Sequence, residues 1–427
     1  MDNQGEINIP VKHHVALPYL FFTEMWERFS YYGMRALLVL YLTKYFHFSD
    51  LEAGKVYGAY TGLVYLTPIL GGYLSDKFLG SRNSIFIGGI CMMLGHLTLA
   101  FDSLLAMYWG LFFLIIGNGF FKPNISTLVG KLYKDREALR DSAFTIFYMG
   151  INIGGSLGPL FCGYIGEVYG WHYGFSLAAI GMAFGLFVFY KSLSKLGDLG
   201  ITPDKSINIS QQNQSKLTSL EIKKIFLLIF LAIMSIFFWV PYEQMGTSVN
   251  LFTDRVVDRN IYSLNIPASV FQSVNGFLIL IFAPIFALIW QKLAVKKIEP
   301  NVPTKFAIGF IFLGISYLIL LLSSSNEKVP VIYLLLYYIL LTIGELCVSP
   351  VGLSTATKLA PEKFASSLMG VWFLSNAVSH YISGWFSGAY SQWMELNQLF
   401  LFLGCISILS GLFLISILPF IKKYFPD

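Results

Sequence analysis

About twelve apolar stretches, each long enough to cross a hydrocarbon core of about 30 Å, leave this chain few folds to choose from. They run over residues 18–45, 53–75, 83–102, 106–131, 142–167, 172–192, 220–252, 268–291, 304–323, 331–357, 364–390 and 397–421. In lipid, backbone N–H and C=O groups are satisfied only within helices or closed barrels, and segments of this length read as helices. Only 12% of residues are charged and the mean hydropathy is +0.64, against about 25% charged in soluble domains. The expected fold is therefore an all-α membrane protein. The stretch 193–219 is rich in Ser, Gln, Asn and Lys and spans nothing. It is expected to be a cytoplasmic linker between a six-helix bundle over 1–192 and a second over 220–427.

Within the first span lies TEMWERFSYYGMR, Thr23 to Arg35. Glu24, Glu27, Arg28, Tyr31, Tyr32 and Arg35 fall at offsets 0, 3, 4, 7, 8 and 11, one continuous stripe at helical pitch. Each charge at bilayer depth costs at least roughly 2.5–3.5 kcal/mol unless it is paired or wet. The stripe must then face an internal cavity, and such residues mark a functional site by default. An ion pair that only glues helices together is the plainer alternative.

Orientation follows from the loops. With the amino terminus placed in the cytoplasm, inside loops hold 21 Lys and Arg and outside loops hold 5. Both termini are then expected to be cytoplasmic. The formal charge of +5 belongs to those loops and implies no nucleic-acid partner. Residues 1–17 are polar, and no cleaved signal segment is expected. Cys91, Cys162, Cys347 and Cys405 sit in apolar runs and read as free thiols.

The ionisable residues inside spans are few: Arg28, Arg35, Lys122, Glu24, Glu27, Glu243 and Glu345. The amino-terminal half has one surplus positive charge, and the carboxy-terminal half has only Glu243 and Glu345. Summed, the interior carries one surplus carboxylate, and desolvation favours a proton there. Opposite signs on the two halves also suit a zwitterion, its carboxylate at Arg35 and Lys122 and its amine at Glu345. Without a ligand, Lys122 is expected to pair with Glu345 and Arg35 with Glu243.

Other motifs surround this set. Lys122 precedes Pro123 in what reads as a glycine-interrupted helix, the kind of break at which transporters bind substrate. FYMGINIGGSLGP offers Asn152, open between cavity and helix packing, and glycines suited to close approach. Pro241 and Gly246 bracket Glu243 in a second expected break. FQSVNGF gives Asn275, IGELCVSPVGLS gives Glu345, and GVWFLSNA gives Trp372 and Asn376. Tyr31, Tyr32, Tyr65 and Trp372 are candidates to line pockets for variable side chains. Asp76, Lys77 and Arg82 lie in a tight turn, as a latch on an inward gate or as an ordinary cytoplasmic loop. The six histidines are scattered without ligand spacing, so no metal site is expected. No phosphate loop or nucleophile elbow is present, so any transport would draw on an ion gradient.

With these residues in hand, the chain resembles the proton-dependent oligopeptide transporter (POT/PTR) family of the major facilitator superfamily. The likeness rests on Glu-x-x-Glu-Arg-Phe-x-Tyr-Tyr-Gly from Glu24 to Gly33, the Gly72–Arg82 turn, FYMGINIGGSLGP and GELCVSPVGLS. It implies the major facilitator fold, with two six-helix bundles around one central site. It implies symport of di- and tripeptides with protons by alternating access, with no enzymatic step and no cofactor beyond H+. Proton coupling would fall on Glu24, Glu27, Arg28 and Glu243. Peptide binding would fall on Tyr31, Tyr32, Arg35, Tyr65, Lys122, Asn152, Asn275, Glu345, Trp372 and Asn376. Gating would fall on Asp76, Arg82, Lys122, Glu345, Arg35 and Glu243. The short linker leaves no room for the two extra inter-bundle helices of many bacterial members, and helices 9 and 10 enclose no large outside domain. A monomer in a bacterial inner membrane is expected. The alternatives are a transporter of the same fold for an anion, metabolite or drug, and a peptide sensor without flux.

Overall fold

Residues 12–201, 203, 218–323, 328–359 and 365–421 are described by the structure, a computed structural model. Most of the expected linker, with Lys205, Lys216, Lys363, Lys422 and Lys423, lies outside the described residues. The architecture is all-helical: α1 (Leu17–Lys44), α2 (Asp50–Leu74), α3 (Gly80–Leu99), α4 (Leu104–Leu132), α5 (Glu137–Gly158), α6 (Tyr164–Tyr169), α7 (Trp171–Leu196), α8 (Ser219–Tyr242), α9 (Ser248–Arg255), α10 (Ser273–Val295), α11 (Val302–Ser323), α12 (Val331–Leu359), α13 (Ala365–Trp393) and α14 (Leu396–Ile421). All but the short α6 and α9 have at least 20 residues. Nine helical stretches among the described residues are long and apolar enough to cross a membrane, with α2 and α3 joined into one of 50 residues. Among the described residues there are two two-residue strand pairs that the sequence did not suggest: a hairpin of Asn260–Ile261 with Leu264–Asn265 after α9, and Val257–Asp258 beside Val329–Pro330, which lead into α12.

Local chemistry sets the starts. Ser49 accepts a hydrogen bond from the Glu52 N–H at 3.3 Å, and the Glu52 carboxylate accepts from the Ser49 N–H at 2.9 Å. Thr218 and Glu221 form the same reciprocal cap at α8, satisfying donors that a helix start leaves open. The ends are less regular. A π turn, Ser75–Leu79, carries α2 into α3 without a loop. A second, Pro159–Gly163, splits the stretch expected as one helix over 142–167. The expected break around Glu243 is present. α8 stops just past Pro241, Glu243–Gly246 form a 3-10 turn, and α9 resumes.

One expectation is corrected. α4 runs unbroken through Pro123, so Lys122 lies on a continuous helix. The glycines there serve packing instead: a Cβ on Gly117 would stand 2.8 Å from the Met92 N of α3, and one on Gly119 2.9 Å from the Thr67 Cβ of α2.

Buried apolar side chains form two clusters, one drawn almost wholly from residues 16–196 and one from 227–414. They meet along a seam between α2 and α13. Gly54, Gly58 and Gly62 recur every fourth residue on one face of α2, and Gly384 and Gly388 do so on α13, the small-residue spacing that lets helix backbones touch. A Cβ on Gly58 would stand 2.8 Å from the Tyr381 carbonyl oxygen. Gly54 and Gly384 are closer still, each facing the other's carbonyl oxygen.

Candidate functional site

α1 carries the charged stripe into the interior as its spacing predicts. Glu24, Glu27, Arg28, Tyr31 and Arg35 are all buried. The Arg28 Nε lies 2.7 Å from Glu24 Oε1 and 2.7 Å from Glu27 Oε2, so two carboxylates share one guanidinium. Glu24 Oε2, Glu27 Oε1, Tyr31 Oη and Tyr60 Oη are buried without a hydrogen-bond partner among the described residues. Groups of this kind are where native proteins hold a water or a proton.

One helical turn beyond Tyr31, Arg35 joins the halves. Its Nε donates to the Tyr57 hydroxyl of α2 at 2.6 Å, and its Nη2 pairs with Glu243 Oε2 in the turn after α8. This is the expected Arg35–Glu243 pair. The other expected pair, Lys122 with Glu345, does not form. Glu345 accepts from the Tyr242 hydroxyl at 2.8 Å and from Asn275 Nδ2 at 3.0 Å. The Lys122 ammonium lies over the Tyr65 ring instead, 4.2 Å from its centroid. The carboxylate is thus supplied with neutral donors from its own half, and the ammonium with a ring face from its own half.

Between the bundles lies a cavity of about 220 Å³, with Tyr32, Arg35, Tyr65, Asn152, Glu243, Asn275 and Glu345 among its lining. Asn152 is part of that lining, and its amide donates to the Tyr148 carbonyl one turn back at 3.0 Å. Tyr148, Trp239, Tyr242 and Gln272 also line it and were not singled out from sequence. Tyr31 lies behind the wall, edge-on to Tyr32 with ring centroids 5.1 Å apart. Three more expected binding residues stay out of the lining: Lys122, which reaches it only through the Tyr65 ring, Trp372 and Asn376. Trp372 is buried in the carboxy-terminal core, where a Cβ on Gly352 would stand 2.8 Å from its ring. Asn376, one turn further along α13, is likewise not part of it.

His380 was missed. It sits on α13, buried, with Nδ1 3.2 Å from Glu243 Oε2 and its ring stacked on Tyr65 at 4.2 Å. The one signal for it in the sequence is position: Trp372, Asn376 and His380 repeat every fourth residue.

At one end of the molecule, polar contacts lock the halves together. Lys44 pairs with Asp254 at 2.6 Å, Arg255 holds Asp50 through two bonds of 2.7 Å, and Asn250 donates to the Ala36 carbonyl at 3.0 Å. At the other end, Arg82 donates to the Leu199 carbonyl at 2.6 Å and to the Gly197 carbonyl. It therefore ties α3 to the segment after α7, within the amino-terminal half. Asp76 sits half-buried in the π turn between α2 and α3. The Arg255–Asp50 pair is half-exposed on its Arg side, and such pairs are worth about 0–1 kcal/mol. Arg255→Ala is therefore expected to shift the thermal midpoint by less than about 4 °C. A larger fall in a melting scan would mean that this pair, rather than the glycine seam, holds that end shut.

The sequence model PTR2, described as the POT family, matches residues 82–195 and 190–401. The uncharacterized transporter YclF of Bacillus subtilis (strain 168) is 36% identical over 488 aligned positions, covering 99% of this chain and 98% of its own. A di-/tripeptide transporter of Lactococcus lactis subsp. cremoris is 33% identical, with 96% of each chain covered. A crystal structure of peptide transporter POT in complex with sulfate matches with a TM-score of 0.90 at 34% identity, covering 97% of this chain and 96% of that one.

Proposed function

The chain belongs to the POT family, and from that membership we propose that it imports di- and tripeptides together with protons by alternating access. The observation that carries this reading is the cavity between the bundles, with a guanidinium on one wall and a carboxylate on the other. A short peptide is a zwitterion. Its carboxylate suits Arg35, and its amine suits Glu345, with Asn152 and Asn275 supplying neutral hydrogen bonds. Tyr32 and Tyr65 offer faces for variable side chains. The small volume favours short chains, since pockets for larger ligands run to about 300–1,000 Å³.

The end bearing Lys44, Asp50 and Arg255 is taken as the outside, from the excess of Lys and Arg in the loops of the other end. This conformation is then closed to the outside by the contacts at that end. Glu24 and Glu27, two carboxylates around one guanidinium, are the proton-binding candidates of the amino-terminal bundle. Proton binding would loosen the Arg35–Glu243 pair and free Arg35 for the peptide. Asp76 and Arg82 would act at the cytoplasmic end, and Trp372 and Asn376 would reach the peptide only in another state. Twelve spans without extra inter-bundle helices fit the alignment with the Bacillus relative. Its 488 positions against 427 residues here leave that relative room for two further spans of about 20 residues each. We place the chain in a bacterial inner membrane as a monomer, both termini cytoplasmic.

The test is uptake of labelled dialanine into liposomes holding the purified chain, with and without an imposed acid-outside gradient. Accumulation only with the gradient is expected, and uptake indifferent to it would end the symport reading. Glu345→Gln is expected to raise the KM for dialanine by about tenfold or more, since a hydrogen bond to a charged group is worth about 1.5–3 kcal/mol. N-acetyl-dialanine, which lacks the ammonium, should lose little. Equal losses for both peptides would remove Glu345 from the amine site.

A further inference from the structure

One buried titratable group has no task in that reading. His380 is 3% exposed. Its Nδ1 stands 3.2 Å from Glu243 Oε2, the same oxygen that pairs with Arg35, yet that nitrogen makes no well-directed hydrogen bond among the described residues. Two basic groups thus compete for one carboxylate oxygen. The guanidinium is always charged, whereas the imidazole is charged only when it takes a proton.

We infer that His380 is the positioning residue that takes Glu243 over from Arg35, so that Arg35 can turn to the carboxylate of the peptide. The inference rests on the transport reading and deepens it. Arg35 cannot leave Glu243 alone, because an unpaired buried carboxylate is strongly disfavoured. A neutral imidazole does not compensate it, and an imidazolium does. One proton from water forms one N–H bond at the bare ring nitrogen, no other covalent bond changes, and the proton returns to water when the peptide leaves. The groups facing the ring set the order of events. Glu243, in the turn after α8, favours the imidazolium. Arg35 on α1, whose Nε holds Tyr57 of α2, opposes it, as does Lys122 on α4, which shares the Tyr65 ring. Glu345 on α12 is engaged by Tyr242 and Asn275. Once Arg35 swings to a peptide, its repulsion falls while the attraction of Glu243 remains. Peptide and proton therefore strengthen each other's binding, and the coupling is reciprocal.

The full chain in liposomes tests this, with dialanine as the probe. His380→Asn and His380→Gln are expected to lower gradient-driven accumulation by about tenfold or more, and equal-pH counterflow by no more than about threefold. Their uptake should also lose its dependence on pH between about 5 and 8. Variants that accumulate dialanine as the wild type does, with the same pH profile, overturn the inference alone. A wild-type chain that does not accumulate dialanine overturns the transport reading and the inference with it. Should neither variant fold, nitrogen NMR of the histidine rings in the wild-type chain decides. One imidazole should take its second ring proton at a higher pH with dialanine present than without it, and no change of histidine ionisation on peptide addition overturns the inference.

Discussion

Arg35→Ala is expected to lower dialanine uptake by about a hundredfold or more, the largest loss of any single substitution in the cavity. Removing one partner of a buried ion pair costs about 3–5 kcal/mol, because the other charge is left uncompensated, and each 1.4 kcal/mol is about a factor of ten. Arg35 is 4% exposed and Glu243 3%, so water offers little relief. The same change removes the cation proposed for the peptide carboxylate and the hydrogen bond to Tyr57. Stability and transport can be separated. Arg35→Ala combined with Glu243→Gln deletes the orphaned charge, so the melting temperature should recover most of what the single variant loses, while uptake stays absent. Single-variant uptake above about a tenth of wild type would show that the guanidinium is not the anchor.

Gly384→Leu should hold the protein open to the outside and reduce uptake by at least about tenfold. Overpacking against side chains costs about 1–3 kcal/mol, but here the obstacle is the Gly54 backbone, which has no rotamer to change. The two helices must then move apart. Spin labels at Lys55 on α2 and Tyr262 in the exposed hairpin report this directly. Their distance distribution should shift to longer values in the variant and stay long when peptide is added. Gly370→Ala on the same helix is the control, since among the described residues nothing lies within 4 Å of a Cβ there. Wild-type distances in Gly384→Leu would mean that the seam does not set closure.

Sequence made the charged stripe legible because lipid leaves charges nowhere else to go. Arg35–Glu243 followed from the opposite signs of the two halves. Lys122–Glu345 did not, because charge balance says which groups attract and not which are already satisfied. Tyr242 and Asn275 occupy Glu345, and nothing local in the chain announces it. Trp372 fell on the core side of α13 for a similar reason: an aromatic on an apolar helix reads alike whether it faces a cavity or a neighbour. His380 is a lone histidine in an apolar run, and only the fold places Glu243 and Tyr65 beside it. The break at Pro241 was visible, since proline removes a donor. The π turn at Pro159–Gly163 was not, although it opens on a proline, because a proline inside a span does not by itself end a helix, as Pro123 in α4 shows; at Ser75–Leu79 the sequence suggested a tight turn, and the chain stays helical there instead.

The join between α2 and α3 has a mechanical corollary. From Gly58, where the seam pins α2, to Leu74 the helix rises through 16 residues, continuous although Pro68 removes one of its hydrogen bonds, an arm of about 24 Å at 1.5 Å per residue. Because a helical turn rather than a slack loop carries that arm into α3, a tilt at the fulcrum is not dissipated on the way. A rotation of about 15° would sweep the far tip through about 6 Å, so a small pivot beneath one surface of the bilayer becomes a wide stroke at the other.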